Sequence, residues 1–137
     1  MGDYIAMLID SEDPVIDLER SWDHLQRRDK WDKPAAAVDE QVLFMTTCME
    51  TWIVADQATL KVHYGRKLQA NALPSLNDLE NQGRHDVQDR LVHATRLCSN
   101  AYAKGKRSFE VLCELNPSAL NSLPSFARAI RILKQKL

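Results

Sequence analysis

An α/β fold, helix-rich and with a small sheet of two or three strands, is what this 137-residue sequence predicts. Three observations predict it. Two short stretches, Asp3–Asp10 and Gln41–Thr47, are dense in strand formers, whereas the remaining apolar positions recur at helical spacing. The length fits a single domain over residues 1–137 and leaves no room for two of ordinary size. With 45% apolar and 27% charged residues and only 4 Gly and 5 Pro, the composition excludes a collagen-like, low-complexity or disordered chain.

Asp3–Asp10 (Asp-Tyr-Ile-Ala-Met-Leu-Ile-Asp) is nearly continuous in apolar residues and too short for a helix, which predicts a buried central strand. Pro14 suits the first position of a helix, with Asp13 as its N-cap. That helix would turn Val15, Leu18, Trp22 and Leu25 inward and end near Arg28–Lys30. Trp31–Asp39 reads as a loop, and Gln41–Thr47 as the second strand. From Cys48 onward Met49, Trp52 and Ile53 take helical spacing, and a further short helix over Asp56–Tyr64 stops at Gly65. Arg66–Arg84 is irregular and long for a loop, so it wraps the surface or carries function.

The next helix begins at His85 or Asp86 and carries Val87, Leu91, Ala94 and Cys98 on one face. Tyr102–Ser108 is a basic turn, with Ser108 as cap for a short helix marked by Phe109, Leu112 and Cys113. Ser125 caps a final helix, with Phe126, Ala129, Ile130 and Leu133 inward and Arg128, Arg131, Lys134 and Lys136 mostly outward. A central strand needs neighbours on both sides, and only one partner is encoded. The missing neighbours come from another chain, from a dimer, or from a strand with no visible signal.

Apolar runs are far too short for a membrane span. The start, Met1-Gly2-Asp3-Tyr4, has no basic residues and leads into no long apolar stretch, so no secretory signal is expected and a cytoplasmic protein is the default. Cys48, Cys98 and Cys113 form no C-x-x-C pair and sit in apolar-periodic stretches, so they read as buried thiols. The four histidines lack H-x-x-x-H spacing, which argues against a zinc site. Charge is divided along the chain: residues 1–56 hold 13 acids against 5 bases, and residues 57–137 hold 6 acids against 13 bases. Such a division arises from uneven solvated surface or from two faces of a phosphate site, with carboxylates for a cation and bases for the phosphates.

Asp10 and Glu12 lie just past the carboxyl end of the first strand, the edge at which open α/β sheets bind ligands. Two apart, they can converge on magnesium, which needs one or two carboxylates plus waters and phosphates. Asp13 is better explained as a helix cap. Glu50 follows the second strand at the same edge, where it serves either the helix dipole or the site. Lys104, Lys106 and Arg107 surround Gly105; they read as a solvated turn or as charges for a phosphate, but the glycine spacing is not that of a Walker A loop.

Several segments in order resemble a known family: Leu8-Ile9-Asp10-Ser11-Glu12-Asp13-Pro14-Val15, Trp22 through Trp31, Cys48-Met49-Glu50-Thr51-Trp52-Ile53-Val54-Ala55-Asp56, Tyr64-Gly65, Asn71-Ala72-Leu73-Pro74, Tyr102–Phe109 and Pro124-Ser125-Phe126. The series is similar, over nearly the whole chain, to the bacterial domain-of-unknown-function family 4276, whose members are Toprim-like. The resemblance implies a Toprim-like domain that binds magnesium (or manganese) and acts on phosphodiesters as a nuclease or phosphotransfer domain, as the partner of an ATPase in phage defence. It implies Asp10 and Glu12 as metal ligands, in an Asp-x-Glu version of the family's second acidic motif. Glu50 and Lys104 would be catalytic, and Lys106 and Arg107 would bind phosphate.

The first Toprim acid, a Glu after an earlier strand, has no counterpart in this sequence. The chain is then a C-terminal portion of the family's domain, or a second subunit completes the site, or catalysis has been lost. Nucleic acid, an ATPase subunit and a second copy of the chain are the expected partners, and a membrane is not. The alternative function is a non-catalytic interaction module or oligomerising subunit.

Overall fold

A computed structural model describes residues 3–137; Met1 and Gly2, the start of the expected leaderless N-terminus, lie outside the described residues. The element order is β1 (Met7–Asp10), α1 (Ser21–Asp29), β2 (Val42–Met45), α2 (Met49–Ala55), α3 (Gln57–Tyr64), α4 (Arg84–Thr95), α5 (Lys106–Leu112) and α6 (Pro124–Lys136). The expected helix-rich α/β architecture is what forms. β1 and β2 pair in parallel, Met7 opposite Val42 and Asp10 opposite Met45, with α1 in the crossover between them.

β2 is the buried strand, and its alternation divides the surrounding layers. Val42 and Phe44 point toward α1, where they meet Leu25 and are flanked by Ile9, Val15, Leu18 and Trp22. Leu43 points the other way, onto Ala129 and Ile132 of α6. The largest cluster lies beyond the sheet, where α2, α3, α4 and α5 join Trp52, Ile53, Leu60, Val87, Leu91 and Val111. Burying side chains of this size contributes about 1.5–3 kcal/mol each relative to exposure.

β1 corrects an expectation. The most apolar stretch of the sequence is not a buried central strand but an edge: Ile5 is 72% exposed and Leu8 51% exposed. β2, shorter than the expected Gln41–Thr47, takes the buried position instead. The first helix also starts later than its proline suggests. Leu18–Arg20 is a 3-10 turn whose Glu19 N–H is held by the Asp17 carboxylate, and α1 begins at Ser21. Asp13 is spent on Arg28 and Arg84 and caps nothing. A residue from across the loop does that work: Asp39 accepts the Trp22 N–H through Oδ1 at 3.0 Å, and its carbonyl accepts Ser21 Oγ–H at 2.8 Å.

Four further corrections concern the second half. Ser108 is not the cap of α5 but its third residue, buried and bonded both ways to Gly105, which holds a positive φ of 99°. Phe109 and Cys113 face outward, so Cys113 is an exposed thiol whereas Cys48 and Cys98 are buried. Arg128, expected outward, is buried beneath α6, and Leu123 rather than Ser125 holds the cap position of that helix. The guanidinium of Arg128 donates to the Val42 carbonyl at 2.7 Å and the Asp39 carbonyl at 2.9 Å, closing part of the far edge of β2. Its Nε is left without a hydrogen-bond partner, and burial lowers its proton affinity from the ordinary arginine value. Among the described residues no helix is long and apolar enough to cross a membrane.

Replacing Arg128 by Leu leaves the buried Val42 carbonyl unpaired and takes one of two donors from the Asp39 carbonyl, while keeping the apolar stem. Leaving a buried carbonyl unpaired costs about 1–3 kcal/mol. Urea unfolding of Arg128→Leu is therefore expected to show a lower midpoint at an unchanged slope.

Candidate functional site

The backbone of the β1–β2 pair builds the site. The ladder continues past the strands, with Ser11 N–H donating to the Met45 carbonyl at 3.1 Å and Glu12 N–H to the Thr47 carbonyl at 2.7 Å. Glu12 takes a left-handed conformation, φ 68°, and turns the chain away at that point. The buried ring of His24 fixes the turn from α1, its Nε2–H donating to the Ser11 carbonyl at 2.9 Å while its edge meets Phe44. Asp10 is thereby held where α2 begins, its carboxylate facing the Met49 N–H.

Burial raises the pKa of Asp10 from 3.8 to about 6, with the Glu50 carboxylate as the next contribution. Glu12 adds to the rise, whereas the Met49 N–H and the Lys104 ammonium oppose it. Glu50 is only 2% exposed, and both its oxygens are occupied. Tyr102 donates its hydroxyl to Oε2 at 2.5 Å, and Gln88 donates Nε2–H to Oε1 at 3.2 Å. Burial, followed by the bond to Glu50, pushes the Tyr102 hydroxyl well above its ordinary value, so it remains a donor. Tyr102 is itself anchored by its own N–H on Thr95 Oγ1 at 2.9 Å.

The expected site residues thus separate into two groups. Glu50 and Lys104 both act on Asp10. Glu12 stands beside it but is bound by Arg28 at 2.6 Å and approached by Arg84 at 3.6 Å, and Arg84 also donates to the Glu12 carbonyl at 2.9 Å. Lys106 and Arg107 open α5 on its exposed side, where Arg107 pairs with Glu110 at 3.3 Å. Tyr102, Gln88, Arg28 and Arg84 went unmarked in the sequence, since no spacing ties them to the acids they contact. Tyr102 alone carried a signal, as the aromatic residue at the head of the basic turn.

A cleft of about 470 Å³ opens beside Asp10, lined by Leu8, Ile9, Glu12, Arg28 and Trp31. On the other face of β1 lies an apolar groove of about 370 Å³ lined by Leu8, Met45, Met49, Trp52 and Phe109. The cavity of about 350 Å³ between Thr46, Leu79, Glu80 and Leu123 shares none of these acids. Glu80 there is occupied with the N–H and hydroxyl of Ser125 in the first turn of α6. Among the described residues no group of three or more His, Cys, Asp or Glu is placed to enclose a metal ion. A hydrated divalent cation needs no such enclosure, since it takes one or two protein carboxylates and completes its shell with water and phosphate oxygens.

The fold and the site define an α/β protein with a carboxylate pair at the carboxyl edge of a parallel strand pair. The chain belongs to the family described as Domain of unknown function (DUF4276), whose model matches residues 2–134. No curated protein and no solved structure matches it.

Two outcomes follow from these contacts. The folded state holds the Asp10 proton up to about pH 6 and the unfolded chain only to about 3.8, so this contribution to stability falls as pH rises through that window. Asp10→Asn should therefore melt above wild type at pH 8, with the gap narrowing toward pH 4 in thermal denaturation curves. Tyr102→Phe removes the hydroxyl bonded to buried Glu50, a loss of about 1.5–3 kcal/mol for a bond to a charged group, measured by chemical denaturation at neutral pH.

Proposed function

We propose that this protein binds a divalent cation, magnesium or manganese, through Asp10 and Glu50, and acts on phosphodiesters at that locus. One observation carries the proposal: a half-buried carboxylate is crowded by a second, fully buried one and faced by a lysine, at the ligand-binding edge of a parallel strand pair. A carboxylate whose proton affinity is raised by burial and by like charge is one that a cation relieves. Asp10, partly open to the cleft, would supply the direct ligand, and Glu50, held in place by Tyr102 and Gln88, the second or water-bridged one.

Bound there, the cation would polarise a phosphoryl oxygen and lower the pKa of a bound water. The chain's own residues do the rest. Lys104, exposed on the turn before α5 and close enough to act on Asp10, would offset charge on a phosphate held beside Asp10. Lys106 and Arg107 extend that positive character along the exposed start of α5. Glu12 has a different part: bound to Arg28 and Arg84, it fixes the turn that carries Asp10 and is not an open ligand.

Calorimetry with magnesium and with manganese tests this. Wild type should bind, and Asp10→Asn should lose at least tenfold in affinity, whereas Glu12→Gln should retain most of it. Affinity should decline as pH falls from 8 through about 6, because the cation and a proton compete for Asp10. Equal heats for wild type and Asp10→Asn would exclude the cation site. Cleavage of a single-stranded oligonucleotide in manganese, lost in both Asp10→Asn and Lys104→Ala, would establish chemistry at it.

A further inference from the structure

We propose that two copies of this chain join through the open edge of β1, antiparallel about a two-fold axis at Met7, to form one four-stranded sheet. The edge has the chemistry of an unpaired strand. The bond from Ser11 N–H to the Met45 carbonyl fixes the phase of the ladder, so the backbone groups of Leu8 and Asp10 point away from β2. Among the described residues no other backbone bond reaches Ala6, Leu8 or Asp10. The far edge of β2 has Arg128 on the Val42 carbonyl; among the described residues β1 has no equivalent cover.

The side chains along this edge are apolar on both faces. Ile5, Met7 and Leu8 are 72%, 37% and 51% exposed. Trp31 flanks the cleft on one face of β1, and Phe109 flanks the groove on the other, both more than half or about half exposed. A continuous apolar strip around an unpaired strand is what soluble proteins cover. A two-stranded sheet is also marginal alone, and pairing with a second copy doubles the strand count.

A second copy is the occupant that the residues of the edge themselves fit. With the two-fold at Met7, Ile5 of one copy lies against Ile9 of the other, Met7 against Met7, and Ala6 against Leu8. Asp10 then faces Tyr4 and Asp3 faces Ser11, so no like charges meet. Moving the axis one residue, to Leu8, would set Asp3 against Asp13. Antiparallel pairing about a two-fold closes at two copies, whereas a parallel head-to-tail contact would not. A substitution at Met7 leaves the Asp10 side chain untouched, because Met7 and Asp10 lie on opposite faces of the strand.

Light scattering coupled to size exclusion, in EDTA and again in magnesium, reads the outcome. Wild type should show the mass of two chains. Met7→Lys and Met7→Asp, each folded by circular dichroism, should show the mass of one, and their equimolar mixture should recover two. In a Cys113→Ser background, Met7→Cys should cross-link to itself on mild oxidation, since directly opposed residues of this kind lie about 4.5 Å apart between Cα atoms; Ile5→Cys should not. A wild type of single-chain mass at all soluble concentrations overturns the proposal. So does a dimer that persists in both charged variants, or a mixture that stays monomeric. None of these outcomes bears on calorimetry at Asp10, so the two proposals fail separately.

Discussion

The parallel pairing of Met7–Asp10 with Val42–Met45 is the constraint on which the rest of this molecule depends. Its register sets Asp10 opposite Met45, four residues before α2 begins, and so decides that a carboxylate from one end of the sequence meets the first turn of a helix some forty residues later. β2 bears the cost of holding that register. It is packed by α1 on one face and α6 on the other, and its far edge is closed by the Arg128 guanidinium. Asp39 couples these supports, since its side chain caps α1 while its carbonyl receives both Ser21 and Arg128.

Where the sequence was legible, the physics was local. Val87, Leu91 and Ala94 form the buried face of α4 because helical periodicity is a property of neighbouring residues, although the helix ends at Thr95 and Cys98 is buried beyond it; Gly65 stops α3 because its φ of 75° suits glycine. The first helix shows where local evidence ends. Val15, Leu18, Trp22 and Leu25 all pack inward as their spacing predicts, yet the helix starts at Ser21 because Asp39 supplies a cap from outside the segment and two arginines claim Asp13. Asp13-Pro14 has the composition of a helix start; the competing ion pairs that void it come from Arg28 and Arg84, which no pattern in that stretch reveals.

The same distinction governs the acids. Proximity of Asp10 and Glu50 follows from strand-end topology and was legible, whereas the spacing around Lys104 read equally as a solvated turn. The fate of each carboxylate was not, because it depends on partners fixed only by packing: Tyr102 and Gln88 for Glu50, Arg28 and Arg84 for Glu12. Burial misled in the other direction at β1. Hydrophobicity reports a tendency to be covered but does not say by what, and a strand that reads as central is, within one chain, an edge with Leu8 half exposed.

Two neighbouring acids of almost identical chemistry therefore end in opposite states, and the difference is electrostatic. Around Glu12 and Asp13, Arg28 and Arg84 return positive charge at close range, so these carboxylates stabilise the turn. Around Asp10 the nearest strong influence is another carboxylate, and the one opposing side chain, Lys104, is solvent-exposed and screened. Folding thus gathers negative charge at Asp10 and leaves it undercompensated, at a stability cost that the unfolded chain does not bear. A fold organised only for stability would place an arginine there, as it does one turn away. That the compensation stops at Glu12 is the physical reason why ligand chemistry is proposed for Asp10 and a scaffolding part for its neighbour.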